Sequence, residues 1–152
     1  LSTIQERLKQ ATDARTQMVT TGKIVYAGVS SVKDEEIAKT STDLYREGYL
    51  YYYRTHAHPN STFLYTMSSL LDLMQWDATT NMELINQPLL MIAGSKADTK
   101  YMTDEAFGKA INSRKKELFQ VEGATHIQTY WKPEYVNQIT SKLNEFFSEN
   151  LK

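Results

Sequence analysis

Cysteine is absent from the 152 residues. That removes a disulfide framework, a thiolate metal site and a cysteine nucleophile together. No stretch approaches the roughly 20 apolar residues that a membrane span needs, so no membrane partner is expected. An excess of one charge is missing too. Lys and Arg number 17 against 18 Asp and Glu, for a net charge of −1 and a pI near 6.3. Without a basic stripe there is no large electrostatic footprint for nucleic acid. No internal repeat or low-complexity tract is present. The amino terminus, LSTIQERLKQATDARTQ, is polar and helical in pattern, unlike a secretory signal. It also lacks an initiator methionine, so the expectation is a processed or trimmed piece of a longer chain. A cytoplasmic location is the default expectation.

What is present is ordinary in proportion. Hydrophobic residues make up 41% and charged residues 23%, which places the chain among globular proteins of single-domain size. Residues 2–20 read as an amphipathic helix, with capping-box spacing at Ser2 and Gln5 or at Thr3 and Glu6. Ile4, Leu8, Ala11 and Met18 lie on one face, and Gly22 is its stop. KIVYAGV (23–29) is a candidate strand and 34–48 a helix ending at Gly48. The aromatic run 49–61 reads as irregular, with Pro59 breaking any regular element. Residues 61–76 read as a helix, capped by Asn60 or Ser61, with Phe63, Leu64, Met67, Leu70, Leu71 and Met74 on a broad apolar face.

The last third is patterned more sharply. LLMIA (89–93) is a continuous apolar run, which predicts a strand buried on both faces. Thr103 can cap a helix that starts at Asp104 and Glu105 and ends near residue 113. ELFQV (117–121) is the next strand, so strand, helix and strand form a right-handed parallel βαβ unit. Pro133 opens a closing helix whose buried face is Val136, Ile139, Leu143, Phe146 and Phe147. Two parallel strands do not make a stable sheet, and only KIVYAGV remains as another good strand. The other strands of the sheet are therefore expected elsewhere.

Each of the two strands runs into a glycine turn and then an ionisable residue. Asp98 lies four residues beyond Gly94, and His126 lies three beyond Gly123. In open α/β sheets, catalytic groups sit at the carboxyl ends of strands, and adjacent parallel strands open both turns on one edge. A carboxylate there can orient a histidine and stabilise its imidazolium. Taken singly, each has a plain alternative: Asp98 as a turn cap, His126 as a structural histidine. Paired at equivalent positions, they favour the functional reading.

QPLLMIAGSKADTKYMTDEAF followed by KELFQVEGATHIQTYWKPEYVNQITSKLNEFF resembles the carboxyl-terminal end of an α/β-hydrolase, and YYYRTHAHPNS resembles a segment of bacterial dienelactone-hydrolase-like or esterase-like members. The resemblance covers about residues 45–150. It implies a partial α/β-hydrolase fold, with a C-terminal parallel βαβ unit plus helices. The division it suggests is a helical or irregular cap-like segment over 1–60 and the hydrolase part over 61–152. It makes Asp98 the orienting acid and His126 the general base, with a small-molecule ester-like substrate in the full-length protein and no cofactor or metal.

The nucleophile that such an enzyme needs, a serine on a G-x-S-x-G elbow, is missing. The nearest match is GVSSV (28–32), with Ser30 after an apolar strand. It lacks the second glycine, and the charged KDEEIAK that follows does not suit the buried helix behind an elbow. The nucleophile and oxyanion hole are expected in a preceding segment, leaving this chain inert alone. His56-Ala-His58 has two imidazoles but no third ligand nearby, so a loop packed by Tyr51 to Tyr53 is the preferred reading. Tyr49, Tyr51, Tyr52 and Tyr53 either line a substrate cleft or pack under a loop. The rival to the enzyme is a non-catalytic, self-associating or partner-binding module, a homodimer through exposed sheet edges.

Overall fold

The alternation of apolar strands with polar-faced helices yields a mixed α/β chain. The structure, a computed structural model, describes residues 2–29, 31–61 and 63–151. It divides into two units that interleave in sequence, Leu1–Val32 with His58–Ala78, and Lys33–Ala57 with Thr79–Lys152. Residues 33–57 pack with the carboxyl-terminal part.

In the first unit, α1 spans Ser2–Thr21 and buries Ala11 and Ala14. Small residues at the contact let a neighbouring segment approach the helix closely. Ile4, expected on the inner face, is exposed. Arg15 donates to the Asp72 carboxylate at 2.8 Å and to the Ser68 carbonyl at 3.3 Å, fixing which face turns inward. Gly22 ends the helix as expected, at φ +73°, and its N–H returns to the Met18 carbonyl at 2.9 Å. Strand β1 (Tyr26–Gly28) pairs antiparallel with β2 (Leu64–Thr66), Gly28 opposite Leu64. A Cβ on Gly28 would lie 2.2 Å from the Phe63 carbonyl oxygen, so only glycine fits there.

β2 corrects the helix expected over 61–76. Phe63 to Thr66 are aromatic, branched or long side chains that a strand accepts as readily as a helix. The backbone partner supplied by 26–28 decides the matter. Helical structure follows only as a tight turn over Met67–Ser69 and a single turn, α4 (Leu70–Leu73).

In the second unit, β3 (Leu89–Gly94) and β4 (Lys116–Val121) are parallel, in register from Leu89 opposite Lys116 to Gly94 opposite Val121. Helix α5 joins them over Lys100–Lys109, beginning earlier than expected. Its N-cap is Thr99, and Thr103 lies inside it. Salt bridges from Lys100 to Asp104 and from Lys109 to Glu105 reinforce the turns. After β4 come α6 (Gln128–Trp131) and α7 (Pro133–Asn150), the latter with proline in its first turn. Lys142 of α7 bridges to Glu117 of β4 at 2.7 Å. Val121, Ala124, Ile127 and Phe146 are buried, whereas Phe147 is half-exposed. Adjacent residues on a helix diverge by about 100°, so one of the two phenylalanines must turn outward.

The helix expected over 34–48 is two helices, α2 (Asp34–Lys39) and α3 (Asp43–Leu50). Gly48 is not a stop. It is buried within α3, and the chain continues through a wider π turn, Tyr51–Thr55, where irregular structure was expected. Arg54 on that turn holds the Asp34 carboxylate of α2.

The run LLMIA corrects a further expectation. Leu89 to Ala93 are only half-buried, and Gly94 alone is fully enclosed. β3 pairs with β4 and with no second strand among the described residues. No helix among those residues is long and apolar enough to cross a membrane.

Candidate functional site

Because β3 and β4 are parallel and end level at Gly94 and Val121, both following turns emerge on one edge. The turns are stitched together. Ser95 N–H donates to the Val121 carbonyl at 3.0 Å, and Lys96 N–H to the Ala124 carbonyl at 2.9 Å. Gly123 N–H donates to Ser95 Oγ at 2.8 Å. The approach is so close that a Cβ on Gly94 would stand 2.3 Å from the Ala124 carbonyl oxygen. Gly123 takes φ +77° to reverse the chain. Both glycines singled out in the sequence thus serve the geometry that sets His126.

His126 is half-buried, and hydroxyls meet both its ring nitrogens. Nδ1 shares a 2.8 Å hydrogen bond with Thr99 Oγ1. Nε2 shares one of 2.5 Å with the Tyr130 hydroxyl, whose ring stands edge-on at 5.3 Å. Burial, and then Tyr52 and Tyr51 nearby, raise the pKa of Tyr130 above the ordinary phenol value, so it stays protonated.

Asp98 lies one residue from Thr99, but its carboxylate points to another task. Oδ2 accepts from the Leu44 N–H at 3.0 Å. Thr42, the N-cap of α3, makes no side-chain cap, so Asp98 supplies it, with the negative charge favoured at that helix end. Among the described residues no hydrogen bond or ion pair joins Asp98 to His126. The two turns come together as expected; the direct acid–histidine bond is not made in this arrangement.

A second carboxylate fastens α3 to the other turn. Thr125 Oγ1 donates to Glu47 Oε2 at 2.5 Å, and Gln128 Nε2 to Oε1 at 3.4 Å. α3 is thereby tied to both strand ends, by Asp98 on one side and Glu47 on the other. Its π extension carries tyrosines beside the histidine. Tyr51 meets Tyr130 edge-on at 5.8 Å and stacks on His56 at 4.3 Å. His56 in turn lies 5.3 Å from Trp131. His56 and His58 fall in different units, and among the described residues no group of three ligating side chains could hold a metal.

Two hollows adjoin these residues. One, of about 460 Å³, is lined by Gly94, Ala97, Thr99, His126, Thr129 and Tyr130 among others. The other, of about 220 Å³, lies between Glu47, Tyr51, Ile127 and Trp131. Thr99, Tyr130 and Glu47 were not anticipated from sequence. Tyr130 had only nearness in sequence to His126, across the turn that leads into α6; Glu47, far away in the chain, had no signal. Ser30, the nearest match to an elbow serine, lies outside the described residues.

No family model matches the sequence. The chain is 29% identical over 146 residues to the uncharacterized protein YcjY of Escherichia coli K12, across 95% of this chain and 46% of YcjY. The crystal structure of the hypothetical protein PA2218 from Pseudomonas aeruginosa superimposes with a TM-score of 0.77 at 25% identity, over 99% of this chain and 46% of that one. DcsB, solved in complex with its substrate analogue, gives a TM-score of 0.74 at 16% identity, over 96% of this chain and 50% of that one. The last is a likeness of fold alone. The chain spans about half the length of the proteins it matches.

Proposed function

We propose that these residues form the carboxyl-terminal portion of a serine-type α/β-hydrolase acting on ester or related acyl bonds. The observation that carries the reading is the joined pair of turns, which sets His126 and Asp98 at one end of two parallel strands, beside an open hollow. Two further facts support it. β3 is apolar yet half-exposed and unpaired on one side among the described residues, as a strand within a larger sheet would be. The matched proteins are about twice as long. The nucleophile and oxyanion hole then come from residues outside this chain, in a protein of cytoplasmic location.

The chemistry follows from the residues present. A serine hydroxyl placed in the hollow gives its proton to His126 Nε2 as its oxygen attacks the acyl carbon. The imidazolium returns the proton to the departing alkoxide, leaving an acyl-enzyme. Water, deprotonated in turn by His126, releases the acid and restores the serine. Asp98 would serve as the orienting acid of the intact protein only by leaving the Leu44 N–H and turning toward Nδ1.

The test is hydrolysis of p-nitrophenyl acetate by the full reading frame. Activity should fall about 10⁶-fold with His126→Ala, and the 152-residue chain alone should be inert. Undiminished turnover in His126→Ala would sink the proposal.

The exposed edge of β3 also favours a second reading, in which the chain alone self-associates by sheet extension. Sedimentation that stays monomeric at high concentration would exclude it.

A further inference from the structure

Thr99 occupies the N-cap of α5, where a threonine ordinarily turns its hydroxyl onto a backbone N–H of the first turn. It makes no such bond. The hydroxyl instead shares a hydrogen bond with His126 Nδ1. On the other side of the ring stands the Tyr130 hydroxyl. A neutral imidazole has one N–H and one lone pair, so the two hydroxyls must play opposite parts, one accepting and one donating. The phenol is the more acidic and hence the stronger donor. Its surroundings keep it protonated, and its ring is held edge-on by Tyr51 behind it. Tyr130 therefore donates to Nε2, and the Nδ1–H donates to Thr99.

We propose that Thr99 and Tyr130 are positioning residues that hold His126 in the tautomer with its proton on Nδ1 and its lone pair on Nε2. This rests on the reading of His126 as a general base, which requires that tautomer when the nucleophile's proton is taken at Nε2. It deepens that reading in one respect. The group that orients the ring is Thr99, while Asp98 is engaged with the α3 terminus. The Tyr130 phenol keeps the place at Nε2 that a serine hydroxyl would take.

The experiment is a nitrogen–proton correlation spectrum of the imidazoles in the purified chain, at a pH where they are neutral. His126 is assigned by its loss in His126→Gln. The wild type should show a protonated Nδ1 and an unprotonated Nε2. In Tyr130→Phe and in Thr99→Val the Nδ1–H form should fall from the major to the minor species, because free histidine prefers Nε2–H in water. Thr99→Ser, which keeps the hydroxyl, should restore the wild-type pattern, and Asp98→Asn should retain it. A wild type protonated on Nε2 would overturn the proposal. So would Thr99→Val and Tyr130→Phe without effect, or an Asp98→Asn shift as large as that of Thr99→Val. The spectrum needs no nucleophile. A locked tautomer in a full-length protein without hydrolysis would remove the hydrolase reading alone, and an active protein with an unlocked His126 would remove the clamp alone.

Discussion

The described residues form two small sheets, and these are held together by different means. β3 and β4 are six residues each and parallel, joined by a helix and levelled so that their ends coincide. β1 and β2 are three residues each and antiparallel, brought together from positions nearly 40 apart. Parallel neighbours require a crossover, and the crossover brings its own packing surface with it. A three-residue antiparallel pair has little area to bury, and its hold depends on what lies against it. Here that is the Met67 N–H bonded to the Val25 carbonyl at 2.8 Å, and a glycine that lets two backbones nearly touch. The first sheet can place functional turns with precision because its turns are cross-linked. The second is a local closure.

Both sheets nevertheless rely on a glycine, which gives the most severe way to break the comparison. Gly94→Ala forces a Cβ against the Ala124 carbonyl and should cost about 3 kcal/mol or more in denaturant unfolding, since overpacked backbone cannot swing aside. Its imidazole spectrum should also lose the Thr99–His126 bond. Gly28→Ala meets the Phe63 carbonyl at φ +108°, and its damage should appear as lost amide protection in β1 and β2 while the His126 signals stay in place.

Smaller changes sharpen the contrast. Asp98→Ala removes the cap of α3 and should destabilise the chain by about 1 kcal/mol, with the amide of Leu44 exchanging faster. If stability is unchanged, the capping role is refuted. Gly108, inside α5 with open space where a Cβ would go, offers the opposite sign. Gly108→Ala should stabilise by roughly 0.5–1 kcal/mol, through the reduced entropy of the unfolded chain and better helix propensity. Thermal unfolding distinguishes the two directions.

The smallest effect is a pH dependence. The hydrogen bond to Glu117 raises the pKa of Lys142 above 10.5. A folded value above the unfolded one means that the contribution is complete below pH 10.5 and is lost as pH rises through the folded value. Lys142→Met should flatten that part of the stability profile. An unaltered alkaline slope would show that the bridge between α7 and β4 contributes nothing.

Much of the carboxyl-terminal architecture could be read in advance, and the reasons are local. A five-residue apolar run, a glycine, a helix and a second such strand leave few arrangements, and Pro133 marks its helix without help. The failures lie where partners are distant. Nothing near Leu64 to Thr66 says that 26–28 will pair with them, so helical spacing was the only pattern to read. Gly48 looked like a stop because its burial inside α3 is set by packing. At the candidate site, His126 and Asp98 were singled out by their turns, but their bonds were not foreseen, because a side chain's partner is chosen among all groups within reach and not by residue type.

The sequence by itself determined the parallel βαβ unit and the opening of its two turns on one edge, since both follow from short-range patterning and the handedness of the crossover. Tertiary structure alone decided that Asp98 caps α3, that Glu47 binds Thr125, and that Thr99 and Tyr130 take the two nitrogens of His126. Those choices depend on distances of about 3 Å between groups far apart in the chain, and hydrogen bonds fall off too steeply with distance and angle for composition or spacing to settle which partner is met.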